Sequence, residues 1–312
     1  MFAIVHHPAY VAPAQVDKRY RWNKNGMVKA LLEESGAAIE WIEPEAMPQA
    51  WLERVHAPNY VAEVLAAAVP TEKERRIGFP VTETVARRAP IVPGGTWRAA
   101  LEALERGFAV NNAGGSHHAL RETGAGYCVF NDLAVAAVRL IEEGTAERVL
   151  IVDVDVHQGD GTAALTADRA EIATYSIHAE KNFPVRKAVS TLDVPLPDGT
   201  GDAEYLAALE ATLVPLVDRF RPSLILYQGG VDPYHGDRLG RLALSQEGLD
   251  ARERFVGGLA KARGIPLAAT LGGGYGADAL EVARRHARSI LTLGALFSGE
   301  GVAEGAGTSP LG

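Results

Sequence analysis

Cysteine is nearly absent from this chain: a single residue, Cys128, occurs in 312. A lone thiol cannot close an internal disulfide and supplies no cysteine-based zinc site, so any metal would have to be held by histidine and carboxylate. Long apolar runs are missing too. No stretch approaches the ~18–20 residues that span a bilayer, and the opening Met1-Phe-Ala-Ile-Val-His-His lacks the basic flank and apolar length of a signal peptide. The expectation is a cytoplasmic protein with no membrane partner. Basic excess is also lacking, with 31 Lys and Arg against 39 Asp and Glu and a net charge of −8. That balance argues against direct nucleic-acid binding, which needs a basic surface. Internal repeats and low-complexity linkers are absent, and 47% hydrophobic content suffices to bury a large core as one α/β domain or two smaller ones.

What is there is concentrated in one stretch. The run Leu150-Ile-Val-Asp153-Val-Asp155-Val-His157-Gln-Gly-Asp160-Gly-Thr162 drives an apolar strand into three potential metal ligands at alternate positions. Side chains two apart on an extended backbone share a face, so Asp153, Asp155 and His157 point one way and the intervening valines the other. A single Asp or His at a strand end is ordinarily a turn former or a hydrogen-bonded structural group. Three on one face suit a cation better.

Four apolar runs of strand length, residues 107–112, 149–154, 223–227 and 266–271, each end in a glycine-rich or polar loop. Their hydrophobicity is continuous rather than alternating, as in parallel strands covered on both faces, and helical patterns lie between them at 95–106, 131–143 and 202–220. Asn131 or Asp132 and Ser245 are expected N-caps; Gly36, Gly107 and Gly144 are expected C-caps. Strand, loop and helix repeated in this way predict a doubly wound, mostly parallel sheet with helices on both faces and ligand groups beyond the carboxyl ends of the strands. The polar residues sit there: Gly114-Gly-Ser-His117-His118, the Asp/His cluster, Gly229-Gly-Val-Asp232 and Gly272-Gly-Gly-Tyr275. The segment from Pro70 to Pro93 reads as a long surface loop, near the site or in an oligomer contact. The tail from Ser298 reads as flexible.

Asp155, His157 and Asp232 would give a hydrolytic zinc ion three protein ligands and leave a position for water or substrate. The His117-His118 pair offers a proton carrier and Tyr275 a donor to a developing oxyanion. Asp153 and Asp160 are available to accept the far ring N–H of a histidine; a simple Asx turn of Asp160 with Gly161 is the lesser reading, and the two roles do not exclude each other.

Together these residues resemble the histone deacetylase superfamily, over nearly the whole chain. The carriers, in order, are Gly-Gly-Ser-His117-His118-Ala, Gly126-Tyr127-Cys128-Val-Phe-Asn131-Asp132, Asp153-Val-Asp155-Val-His157-Gln-Gly-Asp160-Gly, Gly-Gly-Val-Asp232 followed by Gly236-Asp237-Arg238-Leu239-Gly240, and Gly-Gly-Gly-Tyr275. The resemblance implies a single-domain arginase/deacetylase-like α/β fold over residues 1–297. It implies Asp155, His157 and Asp232 as zinc ligands, with ferrous iron the alternative metal, His118 as general base and acid, and His117 as its electrostatic partner. Asp153 is implied behind His117, Asp160 behind His118, and Tyr275 as the residue that polarises the acyl carbonyl. It further implies a structural potassium ion near Asp153, Asp155, His157, Ser176 and Ile177, and a substrate channel walled by Tyr127, where many relatives have phenylalanine, and Phe183. Lys24 or Arg21 would be the basic residue of an internal acetate exit path. The Asp237-Arg-Leu-Gly-Arg-Leu-Ala-Leu-Ser245 stretch looks most like the class IV branch and its bacterial relatives.

The implied activity is removal of acetyl or longer acyl groups from lysine side chains of a protein or peptide. Hydrolysis of an acetylpolyamine or another small acylated amine is the alternative, favoured by a constricted mouth with extra acidic residues. An inactive acyl-lysine binding module is more remote, and an arginase-type dimanganese enzyme would need a second carboxylate-rich ligand set that the sequence does not offer. His6, His7, His56, His178, His235 and His286 read as structural or surface histidines, Cys128 as a small buried hydrophobe, and Trp22, Trp41, Trp51 and Trp97 as core or interface aromatics. The residues leave oligomeric state and acyl-chain length open.

Overall fold

The computed structural model describes residues 1–11 and 23–298. Arg21, Trp22 and the tail beyond Ser298 lie outside the described residues. Eight strands form one sheet: β1 (Phe2–Val5), β2 (Ile39–Ile42), β3 (Phe108–Asn111), β4 (Val149–Asp153), β5 (Ile172–Ala179), β6 (Leu192–Leu196), β7 (Leu224–Gln228) and β8 (Leu267–Thr270). Their order is β2-β1-β3-β8-β7-β4-β5-β6, and every pairing is parallel. The four strands expected from their apolar runs, β3, β8, β7 and β4, are adjacent at the centre. Each is buried at every position.

Period-two alternation divides the sheet's side chains between two cores. Phe108, Val110, Leu150, Val152, Ile225 and Tyr227 face one side. There they meet α1 (Lys24–Glu34), α9 (Asp202–Phe220), α10 (Gln246–Ala262) and α11 (Ala279–Phe297). Ala109, Val149, Ile151, Leu224 and Leu226 face the other, against α2 (Gln49–Glu53), α3 (Pro58–Leu65), α4 (Thr71–Ile77), α5 (Glu83–Arg88), α6 (Ile91–Arg106) and α7 (Asp132–Glu142). A short α8 (Asp160–Thr166) follows β4 and packs on β5 and α7. Trp41, Trp51 and Trp97 sit half-buried at the margins of these cores.

The caps fall as expected. The Asn131 side chain accepts from Ala134 N–H, the Ser245 hydroxyl accepts from Gly248 N–H, and α6 stops at Gly107 with φ +88°. Gly36 and Gly144 lie one residue past the caps of α1 and α7, both at positive φ.

The structure corrects two expectations. Residues 70–93 are no loop: they hold α4, α5 and the start of α6, with Thr82 capping α5. The α6 helix also begins at Ile91 rather than Gly95, running through Pro93-Gly94-Gly95. Proline is tolerated in a first helical turn. The glycines are there for space, since a β-carbon on Gly94 would lie 2.0 Å from Glu45 O and one on Gly95 2.0 Å from Tyr10 Oη.

Candidate active site

The central strands β3, β8, β7 and β4 release four loops side by side at their carboxyl ends, and these carry every motif noted above. After β3, the loop to His117 is fixed by a buried carboxylate in the first turn of α7. Asp132 Oδ1 accepts from Ser116 N–H at 2.7 Å, and Oδ2 accepts from Gly115 N–H at 3.1 Å and Thr96 Oγ1 at 2.5 Å. The two histidine rings that follow lie with centroids 4.0 Å apart.

Each histidine has its own carboxylate. His117 Nδ1 is 2.6 Å from Asp153 Oδ2, and His118 Nδ1 is 2.7 Å from Asp160 Oδ1. Asp160 therefore spends its side chain on His118 rather than on a turn with Gly161, and its backbone begins α8. The two pairs are tuned in opposite directions. Burial opposes charge on His117, but Asp153 and the nearby Asp155 outweigh it and hold the imidazolium up to about 9. Burial and the neighbouring positive charge of His117 pull His118 down to about 4, against the opposing pull of Asp160. At neutral pH His117 is thus charged, and His118 is neutral with Nε2 left to take a proton.

Asp155, His157 and Asp232 form a buried group whose donor atoms lie within 4.8 Å of one another. Asp155 Oδ2 accepts from Gln228 Nε2 at 2.8 Å and from Gly273 N–H at 2.9 Å, while Oδ1 lies 2.9 Å from His157 Nδ1. Asp232 Oδ1 accepts from Val156 N–H at 2.9 Å. Its Oδ2, 3.2 Å from His157 Nδ1, is buried without a hydrogen-bond partner. Burial resists a charge on His157, yet Asp155 and Asp232 beside its ring hold a proton there to about 10. Burial and the like charge of Asp155 push Asp232 up to about 7. Two buried carboxylates crowding one imidazole, with one oxygen lacking a donor, are a site that a divalent cation fits. Among the described residues no second group of this kind is found.

The strands also bring together the remaining expected residues. Asp153 pairs in register with Ser176, and Ile177 follows on β5. The Ser176 hydroxyl is 3.0 Å from His178 Nδ1, so His178 meets that region through a hydrogen bond rather than packing alone. Lys24 Nζ donates to Gly272 O at 2.9 Å and lies 3.3 Å from His286 Nε2, behind the loop to Tyr275.

Above the floor opens a cavity of about 430 Å³, lined by His118, His157 and Tyr275 in depth and by Tyr127 and Phe183 on its walls. The Phe183 ring meets His118 edge-on at 4.8 Å, and the Tyr127 ring lies 5.9 Å from that of Tyr275. Tyr127 adopts φ +67°, a left-handed backbone that costs a non-glycine residue energy and is found where surroundings enforce it. Here α4 enforces it: Tyr127 N–H donates to Ile77 O at 2.7 Å and Gly126 N–H to Arg76 O at 3.0 Å. Gly126 must be glycine, because a β-carbon would stand 2.5 Å from His118 Cδ2.

Sequence reasoning gave several residues that shape the site no part in it, Asp132 being read only as a candidate N-cap. Gln228 orients Asp155, Asp132 holds the histidine loop, and Asp237 accepts from Tyr275 N–H at 2.6 Å. Arg252, fully buried, donates to Gly230 O at 2.9 Å and Val154 O at 3.3 Å. Gln228 did carry a signal, a polar residue closing an apolar strand. Arg252 carried none, since it occupies an ordinary helical position.

This fold and site define a class, the arginase/deacetylase-like α/β proteins. The HD domain of HDA15 superposes with a TM-score of 0.78 at 22% identity, covering 94% of this chain and 89% of that one. An acetylpolyamine aminohydrolase from Burkholderia pseudomallei gives the same score at 20% identity, covering 95% and 99%. At sequence level the histone deacetylase domain profile matches residues 16–291, so the chain belongs to the histone deacetylase family, hydrolases acting on amide bonds. An uncharacterized protein of Picosynechococcus sp. is 42% identical over 287 residues, 91% of this chain and 96% of that protein. Histone deacetylase 2 of Arabidopsis thaliana is 35% identical over 185 residues, 58% of this chain and 48% of its own. Histone deacetylase RPD3 of Saccharomyces cerevisiae is 34% identical over 217 residues, 63% and 47%. The chain thus spans about half the length of these two histone deacetylases. Among the described residues no helix is long and apolar enough to cross a membrane.

Proposed function

We propose that this chain is a zinc-dependent deacylase that hydrolyses the amide of an acylated lysine side chain in a protein or peptide. The observation that carries this reading is the buried Asp155–His157–Asp232 group at the floor of an aromatic-walled channel, next to two histidines each held by its own carboxylate. A zinc ion held by those three side chains, with ferrous iron the alternative, would polarise the acyl carbonyl and lower the pKa of a water molecule beside it.

The chain's own groups supply the rest. His118, neutral and held through Nδ1 by Asp160, takes the proton of the attacking water at Nε2 and returns it to the leaving lysine amine. The His117 imidazolium, fixed by Asp153, stabilises the negative charge that builds beside it. The Tyr275 hydroxyl donates to the carbonyl oxygen as that oxygen becomes negative. Water oxygen ends on the acyl carbon, the C–N bond breaks, and the products are a carboxylate and a free amine. Tyr127 and Phe183 hold the apolar stem of the lysine between them. A potassium ion beside Asp153 and Ser176, with Ile177, Asp155 and His157 around it, belongs to the same proposal.

Acetylpolyamines make a poorer match. Such a substrate carries ammonium groups beyond its amide, whereas Arg76, Lys181 and Arg241 line the channel opening and no carboxylate does so among the described residues. The test is hydrolysis of lysine peptides bearing acetyl, butyryl, octanoyl and myristoyl groups, with acetylspermidine in the same panel and Tyr275→Phe as control. We expect turnover of at least one lysine peptide, reduced ~100–1000-fold by the substitution, as for loss of an oxyanion donor. Activity on acetylspermidine alone, or a Tyr275→Phe protein near wild type, would refute the reading or the role of Tyr275 respectively.

A further inference from the structure

The mouth of the channel is positive in a protein of net charge −8. Its three cations come from three separate segments, each anchored to its neighbour by hydrogen bonds. Arg76 stands in the last turn of α4, whose carbonyl Arg76 O accepts from Gly126 N–H at 3.0 Å. Lys181 adjoins Asn182, whose Nδ2 donates to Leu239 O at 2.6 Å and whose Oδ1 accepts from Arg241 N–H at 3.0 Å. The rim is therefore a framed structure.

Carboxylates flank the opening without lining it, among them Glu180 beside Lys181 in the chain. Asp198 lies 3.0 Å from Arg241 Nη1 and offsets part of its charge. Asp237 accepts from the backbone N–H groups of Leu239, Gly240 and Tyr275, and Glu74 accepts from Val81 N–H at 2.7 Å. Arg76 and Lys181 remain at an opening lined by no acid among the described residues. Like-signed charges around a concave opening with low-dielectric walls concentrate the opposite charge there.

We propose that the rim is a specificity element that selects acyl-lysines flanked by acidic residues, so that the preferred substrate is an acyl-lysine in an Asp/Glu-rich segment of a protein. This rests on the deacylase reading above. With the acylated side chain threaded between Tyr127 and Phe183, the lysine backbone lies at the opening, and residues on either side of it pass over Arg76 on one wall and Lys181 and Arg241 on the other. Exposed ion pairs are individually weak, and three acting together give roughly tenfold discrimination.

The experiment uses the metal-loaded full chain at low ionic strength and one acyl-lysine peptide in three forms, with Asp, Ala or Lys on both sides of the modified residue. We expect the Asp form to exceed the Lys form about tenfold in kcat/KM. The preference should invert in the combined Arg76→Glu, Lys181→Glu, Arg241→Glu protein and persist in Arg76→Lys, Arg241→Lys. Because the ratio is taken within each protein, a loss of folded fraction cancels. Equal turnover of the three forms by the wild type, or a ratio that the triple reversal leaves unchanged, overturns the selectivity and leaves the deacylase standing. Failure on every lysine peptide with turnover of acetylspermidine overturns both.

Discussion

The floor and the mouth of the channel are built on opposite plans. The floor gathers Asp153, Asp155, Asp160 and Asp232 around three histidines, all buried on or just beyond strand ends. The mouth gathers Arg76, Lys181 and Arg241 on exposed segments between elements or at a helix end. Floor residues are over-determined, each fixed by at least one hydrogen bond or close ion pair, as the proton and cation roles proposed for them require. Mouth side chains are exposed on a framed backbone, and the role proposed for them needs only their charge. The proposed chemistry thus falls on buried, hydrogen-bonded side chains and the proposed selection on exposed ones.

The contrast breaks most sharply at Asp232. Asp232→Asn should lower metal affinity by more than the roughly 10–100-fold expected of a group that only orients a ligand, with activity lost in parallel. Metal titration with a competing chelator checks this, and near-wild-type affinity would remove Asp232 from the ligand set. Asp160 comes next. Asp160→Asn leaves the metal group intact but deprives His118 of its carboxylate, and turnover should fall about 100-fold with metal content unchanged, a magnitude typical of general acid–base assistance. A fall in metal content instead would mean that the two parts of the floor are not separable.

A smaller effect lies behind the floor. His56 Nδ1 is 2.8 Å from Leu120 O, and its Nε2 accepts from Asn131 N–H at 3.0 Å, bracing the segment between the histidine loop and α7. Only the neutral ring can accept at Nε2, and burial pulls this histidine down to about 4. The unfolded chain binds the proton from about pH 6.5 downward while the folded chain does not, so the contribution of His56 to stability is whole above that pH and is lost as pH falls towards 4. Denaturant unfolding at pH 7 and 5 should show the wild type losing about 2 kcal/mol more than His56→Gln over that interval. Parallel losses would assign the acid sensitivity to other groups. The selectivity of the rim, about tenfold, is smaller still.

Legibility in the sequence follows the same division. Strands β3, β4, β7 and β8 were readable because both faces are covered and their apolar runs are unbroken. The edge strands were not, since β2 is half-buried throughout and β6 is partly exposed and carries Pro195, which an edge tolerates. Residues of the floor announced themselves by alternate spacing, tandem histidines and glycine-rich loops. Arg76 and Lys181 did not, because an exposed basic residue in a helix or loop has no periodicity to mark it. Arg76 reaches the mouth through α4 folding back onto Gly126 and Tyr127, a long-range contact in a segment whose prolines suggested a loop, and Lys181 through the bonds of Asn182 to Leu239 and Arg241.

Arg252 gives the molecule a further property. Its guanidinium reaches the carbonyls of Val154 and Gly230, just upstream of the two aspartates at the ends of β4 and β7, and lies against Glu253, itself bonded to Ser289 of α11. The segments that follow β4 and β7 are therefore clamped by α10 and, through Glu253, tied to α11. From the side of the opening, Asp237 holds Tyr275 N–H and α4 holds the backbone of Gly126 and Tyr127, so the site is gripped from two directions and its two grips share no residue.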